Sequence, residues 1–549
     1  MATLSGSEAV ARSLANEGVE VIFHITGGPN IELTVECERL GIRLIDVRHE
    51  QAAAAAAHAY ARVLGRTGVC LAPGGPATIN MLPGLAHALD DAVPLVALGG
   101  SAPLSQRGRG SFQEMDQVAL MAPASREAFQ LTAPAQIPER VAAAFRLARA
   151  GRQGPVYLDL PADVLAAQIE SDALHVRAPT SAPSRPQGDS EAVRRVIEIL
   201  RAAERPLVVT GSGIHWAGAS GALRAFIDAT GIPCFATPQG RGAVPDDHPR
   251  SFPAARSAAF READAVLVVG TRDNFILSHL SPPRWSPDAR FMAVNLDAAE
   301  LGRNRALEVG IVGDAAAVLG QLLEEARGAF DPASESVWVG RLRSQAAKNA
   351  EKRRAAEESS ATPIHPLRLM KEVRELLDRD AIVVEDGHDT LGFSRHSIPT
   401  HEAGHRLNPG PLGNVGIGVP FGLGAKAAKP DRQVVVISGD SAFGWMGMNI
   451  DSCCRNDLPI LVVICNNAGI TARSKDQPLM PGQHLGYSDY QRVCEAFGGY
   501  GERVEKADEI RPALERALAS GRPAVVNVIV DMFAPSATQM GFAGGYGGG

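Results

Sequence analysis

A chain of 549 residues is too long for a single hydrophobic core, and three domains is the natural division. Hydrophobic residues at 45% and charged residues at 21% describe a globular protein rather than a fibrous or disordered one. A net charge of −7 argues against a general nucleic-acid binder, which needs a basic surface, and no apolar run approaches the length of about 18 residues that crosses a bilayer.

The N-terminus, MATLSGSEAVARSLANEGVEVIF, reads as a capped amphipathic helix leading into a strand rather than a signal peptide. With no targeting tripeptide visible at the C-terminus, a cytoplasmic protein with no nucleic-acid or membrane partner is expected. The seven cysteines form no C-x-x-C motif and sit mostly in apolar surroundings, so they are expected to be buried free thiols.

Apolar strand-like runs alternate with Ala-rich stretches throughout, the α/β pattern of doubly wound parallel sheets. A strand over 42–47 runs into Arg48-His49-Glu50-Gln51 and six successive alanines, Ala52 to Ala57. Glu50 there is either a favourable charge at the positive end of a helix dipole or a functional carboxylate. The Pro- and Ser-rich segment 178–189, APTSAPSRPQGD, reads as a linker, and a charged helix-prone segment around 340–362 is expected at the surface. Three units result, 1–175, 190–330 and 363–535, followed by a glycine-rich tail, 536–549.

The middle unit has a strand over 206–210, the turn Gly211-Ser212-Gly213, a run over 265–270 and a strand over 291–295 followed by Asp297. That is nucleotide-binding-like, although a lone G-x-G is equally the turn of a plain scaffold. In the third unit a strand over 381–384 leads into EDGHDT, and Gly413-Asn414-Val415-Gly416 follows.

The richest segment is VVVISGDSAFGWMGMNIDSCCRNDLPILVVICNNAG, in which Gly439-Asp440-Ser441 is followed after 24 residues by Asn466-Asn467. Runs 434–438 and 458–465 read as buried strands, with room for one crossover helix over 442–457. A right-handed βαβ unit places Asp440 and Asn467 at one carboxyl edge. A carboxylate, an amide oxygen and a nearby carbonyl suit Mg²⁺, which completes its shell with phosphate and water. Gly439 and a helix start at Ser441 and Ala442 let backbone N–H groups approach a diphosphate.

This spacing resembles the signature of the thiamine diphosphate (ThDP) enzymes, with Ser441 replacing the usual second glycine. The stretch from Arg48 to Gly100 resembles the pyrimidine-binding domain of their acetolactate synthase and decarboxylase branch. The resemblance implies three doubly wound domains: pyrimidine-binding, Rossmann-like middle and diphosphate-binding. It implies Asp440, Asn467 and the carbonyl of Gly469 as Mg²⁺ ligands, with Ile470 beside the cofactor. Asp389 and Thr390 align near the diphosphate, Val415 matches the residue that holds ThDP bent, and Asn414 before it is counted with the cofactor-binding residues. Glu50 matches the glutamate that hydrogen-bonds N1′ of the aminopyrimidine and favours the tautomer that deprotonates thiazolium C2. The active site is implied at the interface of a homodimer or homotetramer, and the middle domain in some members holds FAD or ADP.

Within that branch, Gly110 to Gln117 and His405 to Gly413 look most like 2-hydroxyacyl-CoA lyases and oxalyl-CoA decarboxylases, the latter carrying Tyr-Glu where this chain has Phe112-Gln113. The implied reaction is cleavage of a 2-hydroxyacyl-CoA to formyl-CoA and an aldehyde or ketone, with Phe112 and Gln113 lining the pocket; a 2-oxoacid decarboxylase or synthase is the alternative. Arg473 departs from the pattern, since several relatives have an acidic proton shuttle there. The tail, with Met540, Phe542 and Tyr546 among glycines, is read either as a disordered end or as a lid over a thioester.

Overall fold

The computed structural model describes residues 3–170, 184–332, 336–470, 473 and 475–534. The tail read as a possible lid lies outside these residues, as does part of the linker. Three parallel sheets dominate the fold, built from short runs of Val, Ile and Leu that are buried on both faces, a pattern that helix-covered parallel strands satisfy.

In the first sheet the strands lie side by side as Arg43–Asp46, Val21–His24, Gly68–Ala72, Leu95–Ser101, Pro155–Pro161 and Glu127–Gln130. The last sheet follows the same order of chain positions: Arg406–Leu407, Ile382–Asp386, Val434–Gly439, Leu461–Asn466, Ala524–Ile529 and Tyr500–Val504. The middle sheet has five strands, Cys234–Ala236, Pro206–Thr210, Ala265–Val269, Arg290–Asn295 and Val309–Val312. In each sheet the chain winds outward from a central pair in both directions, and the crevice at the carboxyl end of that pair is where such folds bind ligands. In the last sheet the crevice opens between Gly387 and Gly439.

Two expected features come out differently in the C-terminal unit. The strand read as beginning at Leu458 begins at Leu461, because Pro459 has no N–H to give to a ladder. The crossover expected as one helix is broken into Asp440–Met446, a 3₁₀ turn Gly447–Asn449 and Ile450–Arg455. The break falls at Gly447, where any side chain would run into the ring of Phe443 at 2.7–2.8 Å. The charged segment expected at the surface is helix Val337–Glu357, anchored at its start by buried Trp338, Val339 and Leu342.

One hydrophobic core is shared by the first and last domains. Helix Glu50–Leu64 packs lengthwise on helix Gly418–Ala428, and Ala52 to Ala57 are all buried, so the alanine run serves close approach as well as helix propensity. A Cβ at Gly424 would overlap the carbonyl oxygen of Ala56. Gly424→Ala is therefore expected to lower stability by about 1–3 kcal/mol despite alanine's better helix propensity, read as a fall in the urea midpoint at unchanged m-value; an unchanged midpoint would show that the two helices separate freely.

All seven cysteines are free, and six of them are buried. Among the described residues no helix is long and apolar enough to cross a membrane.

Candidate functional site

Strands Val434–Gly439 and Leu461–Asn466 pair in register with Gly439 opposite Cys465, so the residues following each strand meet at one edge. Helix Asp440–Met446 starts directly from the strand with Gly439 as its N-cap, one residue earlier than expected. Asp440 is buried, and its carboxylate accepts from the backbone N–H groups of Ser441 and Gly469 and its own. The two arms of the motif are thus physically joined. Burial pushes the Asp440 carboxyl up to about 6, the backbone N–H groups and nearby Arg473 opposing the shift.

Oδ2 of Asp440 is buried with no hydrogen-bond partner. An orphaned, desolvated carboxylate oxygen is costly unless something positive meets it. Asn467 follows the neighbouring strand, and its Nδ2 donates to Oδ2 of Asp389 at 3.4 Å, which leaves the amide oxygen outside that contact. Carboxylate, amide oxygen and backbone carbonyl are hard oxygen donors, so the residues present fit a Mg²⁺-class cation.

Across the crevice, Gly387 and Gly439 approach so closely that a Cβ on Gly387 would lie 3.2 Å from the N of Gly439. Thr390 is buried and places Oγ1 about this junction, 3.5 and 3.6 Å from where those two Cβ atoms would be. Glycine backbone flanked by a hydroxyl leaves room for a diphosphate. Ala442 is buried in the first turn of the helix, and Ile470 is 36% exposed.

Asp386, which the sequence reading did not single out, organises the opposite wall. Its carboxylate is fully buried, accepts from the N–H of Gly416 at 3.1 Å and of Gly418 at 2.7 Å, and is pushed up to about 6 by burial. It thereby pins the turn carrying Asn414 and Val415 to the end of strand Ile382–Asp386. Val415 lies half-buried on the wall of a large cavity, consistent with a shape-setting side chain. Only the position of an acid at a strand end could have flagged Asp386.

Arg473 is buried; its guanidinium donates to the carbonyl of Asn467 and to that of Ala468 at 3.2 Å. Where relatives were expected to carry a proton shuttle, this chain has a brace on the loop that follows Asn466-Asn467. Ala468 in that loop has φ 59°, a left-handed conformation that a non-glycine residue keeps only when held.

Glu50 starts helix Glu50–Leu64, capped by His49 Nδ1, which accepts from the N–H of Gln51 at 3.2 Å. Its Oε2 accepts from Asn80 Nδ2 at 2.9 Å within its own domain. The adjacent Gln51 reaches Asn414 Oδ1 at 3.3 Å, which brings the helix start next to the turn with Val415. Phe112 is 87% exposed, and Gln113, at φ 58°, packs beside Gly75, the N-cap of helix Pro76–Asn80, whose last residue is the partner of Glu50.

The cavity, about 2050 Å³, runs from the crevice of the middle sheet at Ser212 and Thr271 to Gly387 and Val415. Arg256, Arg284, Arg395 and His396 line its wall. Burial pushes His396 down to about 4, with Arg395, Arg353, Arg241 and Arg256 adding to the effect. Around His396 the wall is positive, while Asp246, Glu300, Asp314 and Glu385 line other parts of the cavity.

Fold and site together define an enzyme that carries its chemistry on a diphosphate cofactor. Family models agree: the N-terminal TPP binding domain of thiamine pyrophosphate enzymes matches residues 4–120, their central domain 193–322 and their C-terminal TPP binding domain 387–528. The chain belongs to the thiamine pyrophosphate enzyme family. It is 36% identical to the 2-hydroxyacyl-CoA lyase of Oryza sativa subsp. japonica, over 97% of this chain and 96% of that protein. It is 32% identical to human 2-hydroxyacyl-CoA lyase 1 over 98% and 96%, and 33% identical to the oxalyl-CoA decarboxylase of Escherichia coli K12 over 96% and 95%.

Proposed function

We propose that the protein is a Mg²⁺-dependent ThDP lyase that cleaves a 2-hydroxyacyl-CoA to formyl-CoA and an aldehyde or ketone, or joins them in reverse. The observation that carries the reading is the arginine-lined cavity that opens onto the diphosphate edge, because a CoA thioester carries several phosphates and a free 2-oxoacid does not. Full-length similarity to 2-hydroxyacyl-CoA lyases supports it.

When bound, the cofactor supplies the carbanion stabilisation that breaking a carbon–carbon bond requires. The chain's own residues do the rest. Asp440, Asn467 and the Gly469 carbonyl hold the cation; Gly439, Ser441 and Ala442 offer backbone to the diphosphate, flanked by Asp389, Thr390 and Ile470. Val415 supports the bend, and Asn414 ties its turn to the Glu50 helix through Gln51. Glu50 holds a proton at N1′ of the pyrimidine. Arg473 braces the cation loop through the carbonyls of Asn467 and Ala468. Phe112 and Gln113 reach substrate once their exposed loop is covered.

That cover is a second copy of the chain, in a dimer or tetramer. Trp445 at 63%, Met448 at 55% and Leu412 at 53% exposure are large apolar side chains left uncovered in the last domain, Trp445 packed on Gly416 beside the Val415 turn, and such groups suit a subunit contact. The crevice of the middle domain suits ADP, and the free thiols suit the cytosol.

The direct test is to incubate the protein with ThDP, Mg²⁺, formyl-CoA and a panel of aldehydes and ketones, and to weigh the acyl-CoA products. Formation of 2-hydroxyacyl-CoA is expected. Decarboxylation of oxalyl-CoA or of free pyruvate at a higher kcat/KM would transfer the function to the alternative. Arg395→Ala is expected to raise KM for the thioester about tenfold or more with ThDP affinity intact, and equal KM values would remove the cavity from substrate binding.

The Asp440 shift sets a pH dependence. With the folded value at about 6, above the ordinary carboxylate value, protonation is favoured in the empty protein, so this group's contribution to stability is lost as pH rises through about 6. Cation binding needs the ionised form. The rise in Tm on adding Mg²⁺ and ThDP is therefore expected to be full at pH 7.5 and to shrink steeply below pH about 6; an equal rise at pH 5 would mean Asp440 is not the ligand.

A further inference from the structure

Three potential metal ligands meet in the interior, Asp91 among them on the lining of the same cavity: His58 on helix Glu50–Leu64, His87 on helix Leu82–Asp90 and Asp91 just beyond it. All three are essentially without solvent contact. Their ligand atoms lie within 4.8 Å of one another. Nε2 of His87 is 3.2 Å and Nε2 of His58 is 3.5 Å from Oδ2 of Asp91.

His58 is left unsatisfied by the protein, while His87 faces the Asp91 carboxylate. Both ring nitrogens of His58, Nε2 of His87 and Oδ1 of Asp91 are buried without a hydrogen bond. A histidine merely filling a core normally keeps at least one nitrogen paired, since an unpaired buried polar group costs about 1–3 kcal/mol. The neighbours offer little relief. Gln239 donates Nε2 to Oδ2 of Asp91 at 2.6 Å. Arg62 stands 3.9 Å from the same oxygen and gives Nη2 to the Gln239 carbonyl at 3.2 Å. Phe421 stacks on His87 and covers the site from the last domain.

We propose that His58, His87 and Asp91 form a binding site for a divalent transition metal of the zinc class, separate from the cofactor's cation. A tetrahedral zinc with bonds of about 2.0–2.1 Å holds its ligand atoms about 3.3–3.4 Å apart, which matches the two separations from Asp91. Two imidazoles exclude a Mg²⁺- or Ca²⁺-type site, which takes oxygen alone, and select zinc, cobalt or nickel. The Arg62 guanidinium, 3.9 Å from the same oxygen, opposes a cation here, so the two imidazoles must supply the binding. Turning the Gln239 amide about its last bond exchanges Nε2 for Oε1 and supplies a fourth donor from the middle domain.

The place in the fold gives such an ion a purpose. His58 shares its helix with Glu50, Asp91 ends the helix bearing His87, Gln239 belongs to the middle domain, and Gly410 of the last domain packs directly on the Asp91 carboxylate. The metal would clamp three domains at one point and fix the helix whose first residue is Glu50.

The test uses tag-free, full-length protein dialysed against chelator, then titrated with Co²⁺ in the presence of Mg²⁺ and ThDP. A single equivalent of Co²⁺ per chain is expected to produce the visible absorption of a tetrahedral site, displaced by Zn²⁺. His58→Gln and His87→Gln should each weaken binding on the order of a hundredfold or more, while Asp440→Ala keeps the band. X-ray absorption of the zinc-loaded parent, which needs no variant to fold, should show a nitrogen and oxygen shell with imidazole scattering. Absence of the band, its persistence in both histidine variants, or sulfur in the shell would overturn the assignment.

Discussion

Asp440→Ala is expected to abolish retention of ThDP while leaving the fold intact. The carboxylate sits at the junction of the two motif arms, accepts from the N–H groups of Ser441 and Gly469, and leaves Oδ2 buried without a partner. It is the single charged ligand in a donor set otherwise made of an amide and a carbonyl, and Mg²⁺ sites of this kind depend on one or two carboxylates plus phosphate. Calorimetry should show Mg²⁺-dependent ThDP binding to the parent and none to the variant at the same concentrations. The empty variant should be as stable as the empty parent or more so, because the substitution removes a desolvated carboxylate whose cost only a cation offsets. Tight, Mg²⁺-dependent binding by the variant would sink the assignment of the cation site.

The legibility of this site in the sequence has a physical basis. Strands Val434–Gly439 and Leu461–Asn466 are nearly unbroken β-branched runs, and the fixed interval between them leaves only a crossover that returns to the same edge. Asp440 and Asn467 could therefore be placed together without coordinates. Glu50 was legible in a weaker sense, because a helix-starting glutamate before six alanines has an ordinary explanation that only the resemblance displaced. Asp386 was missed because its work is done on backbone N–H groups of Gly416 and Gly418, 30 and 32 residues away, and no side-chain pattern records such a bond. The broken crossover was missed because helix periodicity continues through Gly447, and the break follows from the Phe443 ring beside it. Arg473 shows the opposite case: the residue was noticed as a departure, but its contact with two loop carbonyls needed the fold. The histidines at 58 and 87 are far apart in the chain and lie on different helices, so their convergence on Asp91 belongs to packing alone.

Glu50→Gln should separate chemistry from binding. The side chain begins helix Glu50–Leu64 and accepts from Asn80 Nδ2 at 2.9 Å, a contact that the glutamine oxygen can keep. Gln51 and its reach to Asn414 are untouched, so the helix should stay against the Val415 turn. What glutamine cannot provide is a negative charge to hold a proton at N1′ of the pyrimidine. Loss of such a partner in general acid–base work costs about 10²–10⁴ in rate. Exchange of the C2 hydrogen of bound ThDP for deuterium, followed by quenched-flow NMR, is thus expected to slow by that factor, with ThDP affinity changed less than about tenfold. A purely structural role predicts a different pattern: a loss of about 0.3–1 kcal/mol in stability from the weakened interaction with the helix dipole, and no change in exchange. Exchange at the parent rate would reduce Glu50 to that helix-terminal charge and would send the search for the cofactor's proton partner to the residues of a second subunit.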